Sequence, residues 1–183
     1  INTAESAAAY TGTLQADGNI VLVGRFGSNS DNLGIWRVDT NGNLDTNFGV
    51  AGGVISSHMS YATAIAVQAD GKILIGGAFT TAGSWYNSAI HRYTTDGNLD
   101  LTFSGDGIFE TSFSDRNDNA NDLVVRNDGS VVIVGQAFVT NKDLSYVAQV
   151  TPNGVLDTRY SNDGFQIITV GTGASAGVAA ALD

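Results

Sequence analysis

The 183-residue chain contains no cysteine, a single proline and only eight lysine and arginine residues. Without cysteine there are no disulfides, cysteine-based zinc sites or cysteine nucleophiles. The basic residues are scattered singly, and 18 aspartates and glutamates bring the net charge to −10. Nucleic-acid binding requires basic side chains grouped to pair with phosphates, so no nucleic-acid partner is expected.

Long hydrophobic runs are also missing. No apolar segment approaches the roughly 18 residues of a membrane-spanning helix, so no membrane span is expected. The composition is nevertheless that of a folded domain, because 43% of the residues are hydrophobic and 14% are charged. The lack of cysteine, the low charge and the abundance of Ser, Thr, Asn and Gly are typical of secreted bacterial surface domains. We therefore expect an extracellular or cell-surface location.

The sequence repeats itself three times, at a period of about 55 residues. Each copy begins with an apolar segment followed by an Asp-Gly pair: Asp17-Gly18, Asp70-Gly71 and Asp128-Gly129. A Leu-Asp pair with an aromatic residue three positions further on ends the motif: Leu44-Asp45 with Phe48, Leu99-Asp100 with Phe103, and Leu156-Asp157 with Tyr160. The repeats are expected at about 7–60, 61–118 and 119–175, and residues 176–183 match the first strand of a further copy.

The middle repeat contains four segments of strand character. Residues 62–67 and 72–79 flank Asp70-Gly71, a strong hairpin signal because glycine adopts the positive φ of the turn. Residues 88–94 and 107–113 follow as a third and a fourth strand, and no window has a helical period. Four-stranded antiparallel sheets repeated head to tail are the blades of a β-propeller. We therefore expect an all-β fold of three blades plus one extra strand; a solenoid would need a shorter repeat, and a sandwich would need no repeat.

The first strand of each copy is rich in alanine, which suits the innermost strand of a blade. Larger side chains of the later strands are expected to fill the widening gaps between blades: Phe26, Trp36, Phe79, Phe109 and Phe138. Propellers typically close with 4–8 blades, so three blades leave two bare sheet faces. The expected partners are other blades of the same protein or a second copy of the chain, which would complete a six-bladed ring.

The motif as a whole resembles the delta-60 repeat β-propellers. In the middle copy it consists of residues 70–77, which read Asp-Gly-Lys-Ile-Leu-Ile-Gly-Gly, and of residues 96–103, which read Asp-Gly-Asn-Leu-Asp-Leu-Thr-Phe. The resemblance covers nearly the whole chain and implies a bacterial, often exported, propeller module of larger surface proteins. That family has no general catalytic motif, so the resemblance implies no enzyme site.

The best candidate binding residues come from topology. In an up-and-down blade, the connections that vary between copies all lie on one side of the disc, and function concentrates in such loops. The expected ligand-binding residues on this side are Trp85, Tyr86, Asn87, Asp31, His58 and Asp115. An exposed aromatic side chain beside Asn and Asp is suited to a carbohydrate or to a surface protein. The alternative is that Trp85 folds back over the edge of its blade.

Other chemistry is less well supported. The oxygen ligands of a calcium loop alternate along the chain, as Asp115, Asn117 and Asn119 do. A solvated loop without a metal explains these residues as well. No cofactor is therefore assigned, and Ca²⁺ binding is a hypothesis. The aspartates of the Leu-Asp pairs are expected to cap turns. The favoured function is a non-enzymatic binding or adhesion module; the alternatives are a self-assembling structural subunit and, less favoured, a propeller enzyme that acts on sugars or lactones.

Overall fold

The computed structural model describes residues 7–27, 32–56, 58–80, 85–169, 174 and 179–181. Within these ranges the regular structure consists of strands. They are β1 (Ala7–Leu14), β2 (Ile20–Phe26), β3 (Asn32–Val38), β4 (Gly53–Ser56), β5 (Tyr61–Val67), β6 (Ile73–Thr80), β7 (Tyr86–Tyr93), β8 (Ile108–Thr111), β9 (Asp118–Val125), β10 (Val131–Val139), β11 (Lys142–Val150) and β12 (Phe165–Ile168). The described ranges hold no helix that could cross a membrane.

The strands form three four-stranded antiparallel sheets. Each sheet is a simple meander, in the orders β1-β2-β3-β4, β5-β6-β7-β8 and β9-β10-β11-β12. We call these sheets blades 1, 2 and 3. The all-β fold of four-stranded antiparallel blades expected from the repeats is confirmed.

The hairpin between the first two strands of every blade is closed by its Asp-Gly pair. Gly18 has a φ of 86°, and its N–H donates to the carbonyl of Gln15 at 3.0 Å. The Asp17 carboxylate accepts the N–H of Asn19 at 3.0 Å, as that of Asp128 accepts the N–H of Ser130 at 2.9 Å. Glycine is required at the left-handed position, and the aspartate holds the turn from inside.

The hydrophobic core is divided into two layers, each between neighbouring blades. Val23 and Ile35 of blade 1 pack with Ile73 and Ile75 of blade 2 in one layer. The other layer joins blades 2 and 3. Blade 2 lies between the other two blades and therefore contributes buried apolar side chains to both layers, one from each of its faces.

The aromatic side chains expected in the gaps between blades divide into two groups. Trp36, Phe79 and Phe109 are buried, whereas Phe26 and Phe138 are only partly buried. Trp36 contacts Phe26, with a ring separation of 6.4 Å, on the face of blade 1 that is turned away from blade 2.

The extra strand expected at residues 176–183 falls largely outside the described residues. Of residues 179–181, Ala180 donates its N–H to the Asp122 carboxylate of β9 at 2.7 Å. This contact places the segment beside the first strand of blade 3, where the first strand of a following blade would lie.

Candidate functional site

The connections that vary between blades lie on one side of the blades, as the meander topology requires. We call this the loop side. The β6–β7 connection ends at Trp85, the β8–β9 connection spans residues 112–117, and the β10–β11 connection is a two-residue turn at Thr140 and Asn141, with φ of 50° and 62°. Two of the expected site residues are not loop residues: Tyr86 and Asn87 lie in β7, because they continue the ladder with Thr80 and Phe79 of β6.

Trp85 is the exposed aromatic residue that the sequence indicated. Its side chain is 46% exposed, and the guanidinium of Arg116 lies 5.4 Å from its ring centroid. The same guanidinium lies 5.1 Å from the ring of Phe138. Trp85 therefore does not fold into the blade, and its aromatic surface stays accessible. Its partner Arg116 comes from the β8–β9 connection. We call Trp85, Arg116 and Phe138 the Trp–Arg platform.

The connection that carries Arg116 is held by a buried carboxylate. Asp118 is fully buried at the start of β9. Its oxygens accept the N–H of Phe113 at 2.7 Å, the N–H of Ser114 at 3.1 Å, the Ser114 hydroxyl at 2.6 Å and the Ser112 hydroxyl at 3.1 Å. These four donors satisfy most of the acceptor capacity of the carboxylate, so Asp118 shapes the loop rather than binding a ligand.

A second set of contacts ties this loop to blade 2. The side-chain oxygen of Asn117 accepts the N–H of Tyr86 at 3.0 Å, and its backbone carbonyl accepts the N–H of Phe138. The ring of Tyr86 packs edge-on against Tyr61 at 5.3 Å. Of the expected residues, the structure therefore gathers Trp85 and Tyr86 around the loop that contains Asp115, whose side chain is exposed.

His58 does not lie at the Trp–Arg platform. It lies in the β4–β5 connection and lines an open cleft of about 820 Å³ around β4, at the edge of blade 1. The cleft walls are mainly apolar and include Phe26, Trp36, Ile55, Tyr93 and Leu99. The remaining expected residue, Asp31, lies outside the described residues.

Two titratable groups near this cleft are perturbed by burial. His91 of β7 is fully buried, and neither ring nitrogen has a hydrogen-bond partner among the described residues. Burial, with a smaller contribution from the charge of His58, lowers the pKa of His91 to about 4. Burial also raises the pKa of Glu110, with Asp106 adding to the effect. His91 is thus a neutral, buried side chain near pH 7.

The three residues of the calcium hypothesis lie in two elements, with Asp115 and Asn117 in the β8–β9 connection and Asn119 in β9. The side-chain amide of Asn119 donates to Asn121. Asn117 already accepts a hydrogen bond from Tyr86. Among the residues that the structure describes, no three His, Asp or Glu side chains are grouped so as to hold a metal ion.

The repeated aspartates cap turns, as expected. Asp45 and Asp100 accept the N–H groups of Asn47 and Thr102, two residues further on, at 3.0 and 3.1 Å. Each also pairs with an arginine that sequence reasoning missed: Arg37 with Asp45 at 2.6 Å, and Arg92 with Asp100 at 2.8 Å. Each arginine stands eight residues before its aspartate, and that spacing could have revealed the pair.

The arginine of each pair reaches the next blade. Arg37 donates to the carbonyl of Thr95 at 2.6 Å, and Arg92 donates to that of Pro152 at 2.7 Å. Their guanidinium groups also stack on Phe48 and Phe103, at 4.8 and 4.6 Å from the ring centroids. The Leu-Asp motif is therefore part of the contact between blades.

The chain matches one family model, described as "Domain of unknown function (DUF5122) beta-propeller". The match is made three times, over residues 15–48, 68–103 and 126–160, and together these segments cover more than half of the chain. Each runs from the first hairpin of a blade to the aromatic residue after Leu-Asp, so the family model describes the repeat seen in the structure. No curated protein matches the chain. On the strength of the three matches, the chain belongs to the DUF5122 beta-propeller family.

Proposed function

We propose that the chain is a non-catalytic binding module that holds a carbohydrate on its loop side. The observation that carries the proposal is the Trp–Arg platform, in which a half-exposed indole lies beside a guanidinium on a loop that is fixed by a buried aspartate. An indole face stacks on a sugar ring, and hydrogen-bond donors and acceptors around it fix the orientation of the sugar.

Arg116 and Asp115 supply those polar groups. The side chain of Arg116 is exposed and contacts only aromatic rings among the described residues, so its N–H groups are available to hydroxyl or carboxylate groups. Asp115 precedes it and is exposed as an acceptor. The loop barely needs to reorganise, because Asp118 already holds it, and a preorganised site loses less entropy on binding.

The wider role follows from the composition and the repeat. We propose that the module acts outside a bacterial cell, in adhesion, and that its finer relationship is to the delta-60 repeat propellers. The lack of cysteine, the low charge and the content of Ser, Thr, Asn and Gly support this location.

The experiment is a screen of the chain on an array of neutral and acidic oligosaccharides, followed by tryptophan-fluorescence titration with each positive glycan. The other tryptophan, Trp36, lines the cleft around β4, so the Trp85→Ala variant is needed to assign the quenching to Trp85. Trp85→Ala and Arg116→Ala should each weaken binding about tenfold, the loss expected for one aromatic or charge-assisted contact. Arg126→Ala is the control, because Arg126 is also exposed but follows the end of β9, whereas Arg116 precedes its start. Absence of binding to the array, or equal affinities of all three variants, would contradict the proposal.

A further inference from the structure

The two internal blade contacts are built in the same way. The turn that follows the third strand of each blade is closed by backbone hydrogen bonds, and we call it the outer turn; the outer turns are residues 39–43, 94–98 and 151–155. The N–H of Gly49 in blade 1 donates to the carbonyl of Asp96, in the outer turn of blade 2, at 2.8 Å. The N–H of Ser104 in blade 2 donates in the same way to Asn153 of blade 3, at 2.7 Å.

A glycine and an aromatic ring make this contact close. Phe48 and Phe103 immediately precede the two donors, and both are fully buried. A β-carbon on Gly97 would lie 3.0 Å from the Gly49 nitrogen and 3.1 Å from the Phe48 ring. A β-carbon on Gly154 would lie 2.6 Å from the Ser104 nitrogen. The blades approach so closely that only glycine fits in the outer turn.

The same groups are present, but unused, at the two ends of the stack. In blade 3, Tyr160 is partly exposed, and the N–H of Ser161 has no partner among the described residues. In blade 1, the carbonyl of Asn41 likewise has no hydrogen-bond partner among the described residues. A β-carbon on Gly42 would meet nothing within 4 Å. Blade 3 thus presents the donor half of a blade contact, and blade 1 presents the acceptor half.

The apolar faces show the same asymmetry. Ile73 and Val131, at the start of the second strands of blades 2 and 3, are fully buried by the preceding blade. Ile20, at the matching position of blade 1, is 40% exposed. On the other face, Val21 is fully buried by the following blade, whereas Val132 of blade 3 is only partly buried.

We propose that blade 3 of one copy of this chain binds blade 1 of a second copy through a repetition of the internal blade contact. The N–H of Ser161 then donates to the carbonyl of Asn41, and the ring of Tyr160 covers Gly42. The contact joins two different surfaces, so it propagates from copy to copy until it closes a ring or forms a filament. Two copies joined at both ends make six blades, which is within the usual range for a propeller.

The proposed contact between copies lacks the arginine that both internal contacts contain. Gln149 stands at the position of Arg37 and Arg92, eight residues before Asp157, and its side-chain amide donates to that carboxylate at 3.2 Å. Glutamine is too short to reach the carbonyl of Thr40, which corresponds to Thr95 and Pro152. The contact between copies is therefore weaker than those within a copy, and it responds to concentration.

Residues 179–181 lie next to this surface. Ala180 contacts Asp122 at the inner edge of blade 3, whereas Tyr160, Ser161 and Gln149 lie towards the outer turns. A second copy that binds here either displaces residues 179–181 or leaves them in place, in which case they occupy the position of the second copy's β1. The contacts at the outer turns are the same in both cases.

The experiment measures mass against concentration by sedimentation velocity, at about 0.15 M salt so that the net charge of −10 is screened. The proposal predicts multiples of the 18.9 kDa chain at micromolar concentrations. Gly42→Asn should raise the dissociation constant at least tenfold, because the new side chain meets Tyr160 and Ser161 only when a second copy is docked. Asparagine tolerates the left-handed φ of 85°, so the single chain keeps its fold, which circular dichroism verifies.

Gly105→Asn is the matched control. Gly105 has a φ of 91° and also nothing within 4 Å, but it lies away from the proposed contact, so association should not change. Gln149→Arg should strengthen association about tenfold or more by restoring the arginine that reaches the next blade. The proposal is overturned if the parent chain and the Gln149→Arg variant are both monomeric up to about 100 µM. It is also overturned if Gly42→Asn and Gly105→Asn have equal dissociation constants.

Discussion

Arg92→Ala should be among the most damaging single substitutions in the chain. Arg92 is 5% exposed and pairs with Asp100, which is also 5% exposed. It donates to the carbonyl of Pro152 across the blade boundary and stacks on Phe103. Its removal leaves a buried carboxylate with a weaker partner and removes one of the two hydrogen bonds described between blade 2 and the outer turn of blade 3, the other being that of the Ser104 N–H.

The expected size of the effect follows from these contacts. Loss of one member of a buried ion pair costs about 3–5 kcal/mol. Lys72 remains 3.1 Å from Asp100 and compensates in part, so we expect about 3 kcal/mol. Arg37→Ala should cost less, about 1.5 kcal/mol, because the side chains of Arg37 and Asp45 are 13% and 16% exposed. Arg126→Ala, an exposed control, should change the free energy of unfolding by less than about 0.5 kcal/mol.

The assay is urea unfolding of the three variants and the parent chain, with the midpoint and slope fitted for each. The effect should also depend on pH. Burial by itself raises the pKa of Asp100, and hydrogen bonds from Thr102 and Lys72, with the charge of Arg92, lower it to about 2. The folded form thus favours the ionised carboxylate, so the stability that this carboxylate provides is lost as the pH falls from about 4 towards 2. An Arg92→Ala variant as stable as Arg126→Ala would refute the reasoning.

Three further predictions concern single sites. His91 has a pKa lowered from 6.5 to about 4, so between these pH values the unfolded chain binds a proton that the folded chain does not. The free energy of unfolding should therefore fall by about 3 kcal/mol between pH 6.5 and 4. Urea unfolding of His91→Gln at a series of pH values should show a smaller fall in this free energy over the same range. Asp118→Ala should cost about 3 kcal/mol, because it leaves the amides of Phe113 and Ser114 unpaired, whereas Asp115→Ala should cost almost nothing in the same assay. The calcium hypothesis predicts a melting temperature that rises with added Ca²⁺ and no longer rises in Asp115→Ala; an unchanged melting temperature of the parent chain contradicts it.

Much of the fold could be predicted from the sequence, because the same local signals occur three times. Asp70-Gly71 fixes a hairpin, and the apolar run of β6, which contains Ile73 and Ile75, indicates the strand beside it. The strand ends were harder to place. β7 begins at Tyr86 rather than at residue 88, because Thr80 and Tyr86 still pair, and cross-strand pairing of this kind leaves no mark in either strand alone.

The candidate site could be predicted only in part. Trp85 stood out as an aromatic residue in a variable loop, and it is exposed. Arg116 did not stand out, because its contacts with Trp85 and Phe138 come from residues 31 and 22 positions away in the sequence. The junction arginines were missed for the same reason: what they bind is a backbone carbonyl of the next blade, and a carbonyl has no sequence signature.

The central claim is that blades join through the contact between an aromatic segment and the next outer turn. Amide hydrogen exchange, measured residue by residue over a range of concentrations, tests it most directly. The account predicts that the amides of Gly49 and Ser104 are protected at every concentration, because both donate across an internal blade boundary. It predicts that the amide of Ser161 becomes protected only as the concentration rises. Fast exchange at Gly49 and Ser104, as in an exposed loop, would contradict the claim.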